Sequence, residues 1–241
     1  MSQPGDTGTA SGHTLSRFDG DLGKLRGIVL ELGRRVVAQV VAATEALVSC
    51  DVAKARKVIH DHRQIRDLDI DALQANAGLY AIHQPVARDL RFVLTLSRAV
   101  YDLERIGGEA VRLADIAEDL YEYRPTVRES AILEDVARIS KTAVDLLQRA
   151  LQAVEQEDVR IAVAVALDGK EVEQQFKNSL RRLATFIMED PRNIRWVIDA
   201  TLGVKTMERV ADHACSIARN IVYSVTGKDV RHVNVMSLQS G

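Results

Sequence analysis

The chain has 241 residues, 46% of them hydrophobic and 27% charged, with a formal net charge of −2. That is enough chain to bury a core, and the near-neutral balance lacks the basic excess that a nucleic-acid partner requires. Aromatic residues are only 4%, while Ala, Val, Leu and Arg abound, a mix suited to helices packed through aliphatic side chains. Cys50 and Cys215 are too few for a disulfide framework and are expected as reduced thiols in a cytoplasmic protein. The N-terminal region lacks the apolar segment of a secretion signal, and the stretch from Ile28 to Val48 is broken by Glu31, Arg34, Arg35 and Glu45. No run reaches the roughly 20 apolar residues of a membrane span.

In chain order, residues 1–17 are small and polar and are expected to form a disordered leader. Leu22, Leu25, Val29, Leu32, Val36, Val40, Ala43 and Leu47 then recur by threes and fours, one stripe of a long amphipathic helix. Ser49-Cys50-Asp51 breaks that helix, and Asp51 suits the N-cap of a second. The second helix is expected to run to about His83, where Gln84-Pro85 ends it and Pro85 opens a third reaching about Tyr121. Arg124-Pro125-Thr126 separates the halves. The second half repeats the plan, with helices expected over about 129–156, 158–189 and 191–225. Period-two alternation is absent throughout, and helical periodicity fades after Gly227. The expected units are a bundle over 18–123, a second over 127–226 and a flexible tail over 227–241.

The two halves are copies of one unit. Asp102-Leu103-Glu104-Arg105-Ile106 returns as Thr206-Met207-Glu208-Arg209-Val210. Asp51 and Asp61 return as Asp158 and Asp168, both 107 residues later, Pro85 as Pro191 after 106, and Glu104 as Glu208 after 104. A drift that small over half the chain indicates a duplicated small domain with minor loop differences. Three helices per copy and short connections predict an all-α molecule, a tandem duplication of a three-helix bundle with six long antiparallel helices.

Several residues stand out on these helices. Glu208 and Asp212 lie four apart, so their carboxylates share a face. A solvated acidic surface is the plainer reading, but a Glu-Arg pair at the same register in both copies exceeds what solubility requires. Asp67, Asp69 and Asp71 recur every second residue, cannot share one helix face, and are expected on a solvated surface. Arg34-Arg35 and Arg181-Arg182 are expected as exposed charges, Trp196 at a bundle end, and Cys215 buried without an acid–base neighbour to make it a nucleophile.

At these residues the chain resembles the PhoU family of phosphate-transport regulators. Gln84-Pro85-Val86-Ala87-Arg88-Asp89-Leu90-Arg91 followed by Asp102-Leu103-Glu104-Arg105-Ile106-Gly107 looks like the family's first signature. Asp190-Pro191-Arg192-Asn193-Ile194 with Met207-Glu208-Arg209-Val210-Ala211-Asp212-His213-Ala214 resembles the second, and Val225 to His232 the family's C-terminal end. The likeness spans about residues 17–232. It implies two PhoU-type three-helix bundles in a non-enzymatic negative regulator of phosphate uptake and of the phosphate-starvation response. The implied partners are the ATPase subunit of a phosphate ABC transporter, a membrane sensor histidine kinase and a second copy in a homodimer. Membrane contact is then only peripheral, through those partners, at the cytoplasmic face. Glu104, Arg105, Glu208, Arg209, Asp212 and His213 form the implied partner or signature face.

The resemblance also implies a metal site. Carried onto this chain, the family's acidic pattern keeps Glu208 and Asp212 in the second copy, but the first has Glu104 with Gly108 in place of an acid. The second helices contribute Asp61 and Asp168, followed by Arg66 in the first copy and Glu173 in the second. An arginine there puts a fixed positive charge where a cation would sit. Any site is therefore expected only in the second half, from Asp168, Glu173, Glu208 and Asp212, with iron, zinc or magnesium as candidates and none required. His213 is a further candidate donor, although a lone helical histidine is more often packed or on the surface. The alternative function is a carboxylate-rich helical protein for metal binding or storage. Against a carboxylate-bridged metal enzyme, no glutamate has a histidine three residues later. A phosphate-binding GxxxxGK[ST] loop is absent too.

Overall fold

The apolar stripe of the first helix is the core's spine: Leu25, Val29, Leu32, Val36, Val40, Ala43 and Leu47 are each 0–1% exposed. The structure, a computed structural model, describes residues 8–121, 127–189 and 194–230. Its elements are α1 (Gly8–Ser49), α2 (Val52–Asp61), α3 (Arg63–His83), α4 (Ala87–Tyr121), α5 (Val127–Gln156), α6 (Val159–Glu189) and α7 (Ile194–Thr226). There is no strand among the described residues.

The helix boundaries depart from expectation in three places. α1 begins at Gly8, inside the stretch read as a leader. No proline lies between Gly8 and Arg17, and a nucleated helix extends cheaply, one hydrogen bond per residue fixed. The single helix expected from Asp51 to His83 is interrupted at His62, although His62 keeps a right-handed helical backbone and donates its N–H to the Val58 carbonyl. The interruption seats the buried His62 ring against α4 at Gly107. A Cβ at Gly107 would stand 3.2 Å from His62 Cε1 and 3.3 Å from Ile65. Finally, α4 starts at Ala87, after Gln84 has closed α3 in the left-handed region at φ 45°. The corner at Pro191 and the divider at Pro125 lie outside the described residues.

Helix ends repeat with the duplication. α1 ends on Cys50 and α5 on Glu157, equivalent residues that both sit at φ 51°, the left-handed position usual after a helix. Asp51 then accepts a hydrogen bond from the Lys54 amide at 3.0 Å. Asp158 accepts from the Arg160 and Ile161 amides at 2.7 and 3.3 Å. These side-chain caps satisfy amides that the first helical turn leaves unpaired.

The two bundles share one hydrophobic core. α1 and α4 of the first copy pack against α5 and α7 of the second, with α2 and α3 laid on α1 and α4, and α6 on α5 and α7. The α1–α5 seam is close: the Thr44 and Ser140 hydroxyls lie 2.7 Å apart, buried. Gly33 there faces Leu151 so tightly that a Cβ would come within 2.4 Å of its Cδ2. Along the α4–α7 seam Arg91 bonds the Ser224 carbonyl, Thr95 the Asn220 carbonyl, and Asp102 bonds His213. One number rises as the other falls, so the two helices run antiparallel. Val230, expected in a flexible tail, is 2% exposed and joins the core; residues 231–241 lie outside the described part.

Candidate functional site

The signature residues occupy the middle of α4 and α7, where the copies meet, and three of them, Asp102, Arg209 and His213, make bonds across that seam. Asp102, 6% exposed, bonds His213 Nδ1 at 2.9 Å. Arg209 donates to Glu109 at 3.2 Å. Glu109 and His213 are equivalent positions 104 residues apart, so each copy sends the same position across to the other. Arg209 and His213 thus hold the two halves in register. His213, proposed as an extra metal donor, is instead bonded to an aspartate.

The two Glu-Arg pairs differ in surroundings. In the second copy Glu208 is ion-paired to Lys205, whose ammonium also lies 5.1 Å from the centre of the Phe176 ring. In the first copy Arg105 is exposed, its guanidinium 5.2 Å from the Tyr101 ring centre and its Nε donating to the Tyr101 hydroxyl at 3.2 Å. Glu104 instead faces a groove of about 280 Å³ between α3 and α4, shared with Asp69, Asn76, Ser97 and Tyr101. Asp69, read from the sequence as a solvated acid, is half-buried there. Burial, and then the neighbouring Glu104 charge, push its carboxyl above the usual carboxylate range.

The four carboxylates of the expected metal site are dispersed and largely engaged. Asp168 bonds Arg149 at 2.6 Å, Glu173 bonds Lys177 at 2.6 Å, and Glu208 pairs with Lys205. Asp212 alone of the four lacks a basic partner within salt-bridge distance; burial, and then Glu208, raise its carboxyl above the ordinary range. Among the described residues no three His, Cys, Asp or Glu side chains gather at metal-holding distance. The positive charge that a cation would bring is already supplied by Arg149, Lys177 and Lys205, so the residues as arranged do not fit a bound metal.

Other expectations are met. Cys215 is 3% exposed, its Sγ 3.5 Å from the Val165 carbonyl, and burial pushes the thiol up to about 11. Trp196 is 3% exposed beside Phe186. Arg34 and Arg35 pair with Glu31 on the surface, and Arg182 with Asp135. Among the described residues, no helix is long and apolar enough to cross a membrane.

Sequence reasoning missed three features. One is the α3–α4 groove. A second is a groove of about 380 Å³ between α1 and α2–α3, floored by Ala38, Ala42 and Val58 and rimmed by Arg35, Lys54 and Lys57. The third is a corner at which Glu157 receives Arg26 at 2.6 Å and Arg88 at 3.2 Å. Only the corner left a trace in the sequence, as the residue equivalent to Cys50 at the end of a repeated helix.

A duplicated all-helical unit whose α4 and α7 meet along a seam tied by Asp102–His213 and Arg209–Glu109 defines the class, and comparison places it. The PhoU domain model matches residues 29–117 and again 136–221. The chain is 34% identical to the phosphate-specific transport system accessory protein PhoU homolog of Pseudomonas aeruginosa, covering 94% of this chain and 93% of that one. To the PhoU of Escherichia coli K12 it is 28% identical, over 92% of this chain and 90% of the other. The crystal structure of PhoU from Pseudomonas aeruginosa superposes with a TM-score of 0.83 at 34% identity, covering 88% of this chain and all of that one. The phosphate transport system regulatory protein PhoU from Streptococcus pneumoniae superposes with a TM-score of 0.80 at 25% identity, over 88% and 99% of the two chains. This chain belongs to the PhoU family.

Proposed function

We propose that this protein is an accessory regulator of phosphate transport that represses phosphate uptake and the starvation response when phosphate is plentiful. In this reading it is a non-catalytic cytoplasmic adaptor, a homodimer that couples the ATPase subunit of a phosphate ABC transporter to a sensor histidine kinase and meets the membrane only through them. The observation that carries it is the match of both halves to one domain shared with proteins named for the phosphate-specific transport system, over nearly the whole length of each. The geometry suits an adaptor, because long helices on one core present extended, rigid faces without a deep cleft.

The experiment is a phosphate-starvation reporter in phosphate-rich medium, with the gene deleted and then restored. Derepression on deletion and repression on restoration are expected. A reporter silent in the deletion strain, and still silent after removal of any paralogue, would reject the reading. No step of this function runs through a metal. Metal storage is the weaker reading, since basic side chains already neutralise Asp168, Glu173 and Glu208.

A further inference from the structure

The duplication provides an internal comparison for the α3–α4 groove. In the second copy, Phe176, Lys205 and Glu208 form a closed set in which the lysine ammonium lies over the ring and pairs with the glutamate. The equivalent positions in the first copy are Asp69, Tyr101 and Glu104, which together line the α3–α4 groove. The lysine is gone and a second carboxylate has arrived. The first copy therefore has two acids where the second has one, and no cation to match them.

Nothing nearby replaces that cation. Neither Asp69 nor Glu104 has a hydrogen bond or ion pair with another described residue. The closest basic groups are committed or turned away: Arg105 is exposed and stacked on Tyr101, Arg66 is exposed, and His62 is buried, its protonation disfavoured by that burial. The Asn76 amide donates to Ser97 at 2.6 Å, while its carbonyl oxygen is buried without a partner. Around this polar floor the walls are apolar, formed by Leu25, Ala72 and Val100. The rim carries large side chains in solvent, with Leu73 of α3 65% and Tyr101 of α4 57% exposed. Exposed Leu73 and Tyr101 on either side of unmatched charge mark a surface suited to being covered.

We propose that the groove between α3 and α4 of the first copy is a docking site for one lysine or arginine side chain on an amphipathic helix of another protein. Asp69 and Glu104 take the cation, and Leu73 and Tyr101 cover the apolar residues flanking it. The occupant supplies from outside the charge that Lys205 supplies from within in the second copy. A bare metal ion would leave Leu73 and Tyr101 exposed, and among the described residues no third ligand of the His, Cys, Asp or Glu type joins the pair. The inference does not depend on the regulatory reading above; it concerns the groove, whatever protein carries the helix.

The test uses the full chain and a short designed amphipathic helix with a single lysine centred in a leucine stripe, fluorescently labelled and followed by anisotropy. A control peptide has glutamine in place of the lysine. The lysine peptide is expected to bind at least about tenfold more tightly, the size of a buried charge-assisted contact. Two variants remove that preference by opposite routes. Asp69→Asn with Glu104→Gln takes away the acids, and Tyr101→Lys restores an internal cation beside Glu104, as in the second copy. Melting curves show whether each variant remains folded, and loss of the preference in both while folded supports the site. Equal affinity for the two peptides, no binding of either, or a preference surviving in both folded variants would overturn it. Displacement of the peptide by equimolar manganese would overturn it as well, and would reassign the two carboxylates to a metal.

Discussion

At the residue scale, Cys215 shows what a close helix contact demands of its neighbour. A Cβ built on Gly169 of α6 would lie 2.5 Å from Cys215 Sγ, inside any real contact distance. Gly169→Ala gains helix propensity of up to about 1 kcal/mol, but the short, buried thiol has little room to yield. We expect a net loss of about 1–2 kcal/mol in urea unfolding, largely recovered in the double variant with Cys215→Ala. Gly33 faces an even shorter contact, but with the end of a flexible leucine that can turn aside, so Gly33→Ala is expected to cost less. The thiol also makes stability depend on pH. Its acid form is favoured by burial, raising the value from 9.0 to about 11 in the folded state. A raised folded value means the stabilisation is complete below about pH 9 and is lost as the pH climbs towards 11. Urea melts at pH 8 and pH 10.5 should therefore show a steeper decline for the native chain than for Cys215→Ala.

At the element scale, equivalent helix ends respond in opposite ways to one substitution. Cys50 and Glu157 both stand at φ 51°, where a side chain is strained and glycine is not. Cys50→Gly is expected to stabilise, by less than about 1 kcal/mol, because relief of that strain outweighs the loss of a half-buried thiol's packing on the core and its weak 3.8 Å contact to the Leu47 carbonyl. Glu157→Gly relieves the same strain but removes the carboxylate that ties Arg26 of α1 and Arg88 of α4 to the corner. It is expected to destabilise, as unfolding midpoints of the two variants would show. The Asp51 cap was readable from the sequence, since it precedes a new periodic run, and the repeat pairs it with Asp158. The break at His62 was not, because what accompanies it is a histidine ring packed against α4 at Gly107, a tertiary contact that leaves no mark in local periodicity.

At the scale of the whole molecule, the continuous core makes the halves interdependent. The chain is expected to unfold in one cooperative transition by calorimetry, and residues 18–123 expressed alone should be largely unfolded or aggregated. Separating the copies would expose the faces of α1 and α4 that now meet α5 and α7. A separately melting half would contradict this. The Arg209–Glu109 tie belongs to the same seam, with Glu109 13% and Arg209 42% exposed. Arg209→Ala is expected to leave a folded protein that is less stable by about 1 kcal/mol, discounted for the exposure of the arginine. A double-mutant cycle with Glu109→Gln would show whether the coupling is absent. The metal expectation is also tested on the intact molecule. With Arg149, Lys177 and Lys205 in place, metal analysis of the purified protein should find well under one ion per chain, unchanged in Glu208→Ala with Asp212→Ala. Stoichiometric metal lost in that variant would establish the second-half site.

The amino-acid sequence by itself determined the helical class, the duplication, most helix ends and the family, because each is written in local spacing: threes and fours along a stripe, caps before a run, and the same phrase about a hundred residues on. It also picked out Glu104, Arg105, Glu208 and Arg209 as the repeated phrase. What Glu104 and Arg209 meet on other helices was decided only by the tertiary structure. Glu208 finds a lysine three residues away on its own helix, whereas Glu104 finds an aspartate on another helix and no cation. Arg209 reaches across the seam to Glu109, while Arg105 rests on a tyrosine in solvent. The repeated Glu-Arg acquires different partners because its surroundings differ, on its own helix (Lys205 where the first copy has Tyr101) and on the helices opposite, and ion pairing acts over a few ångströms of space.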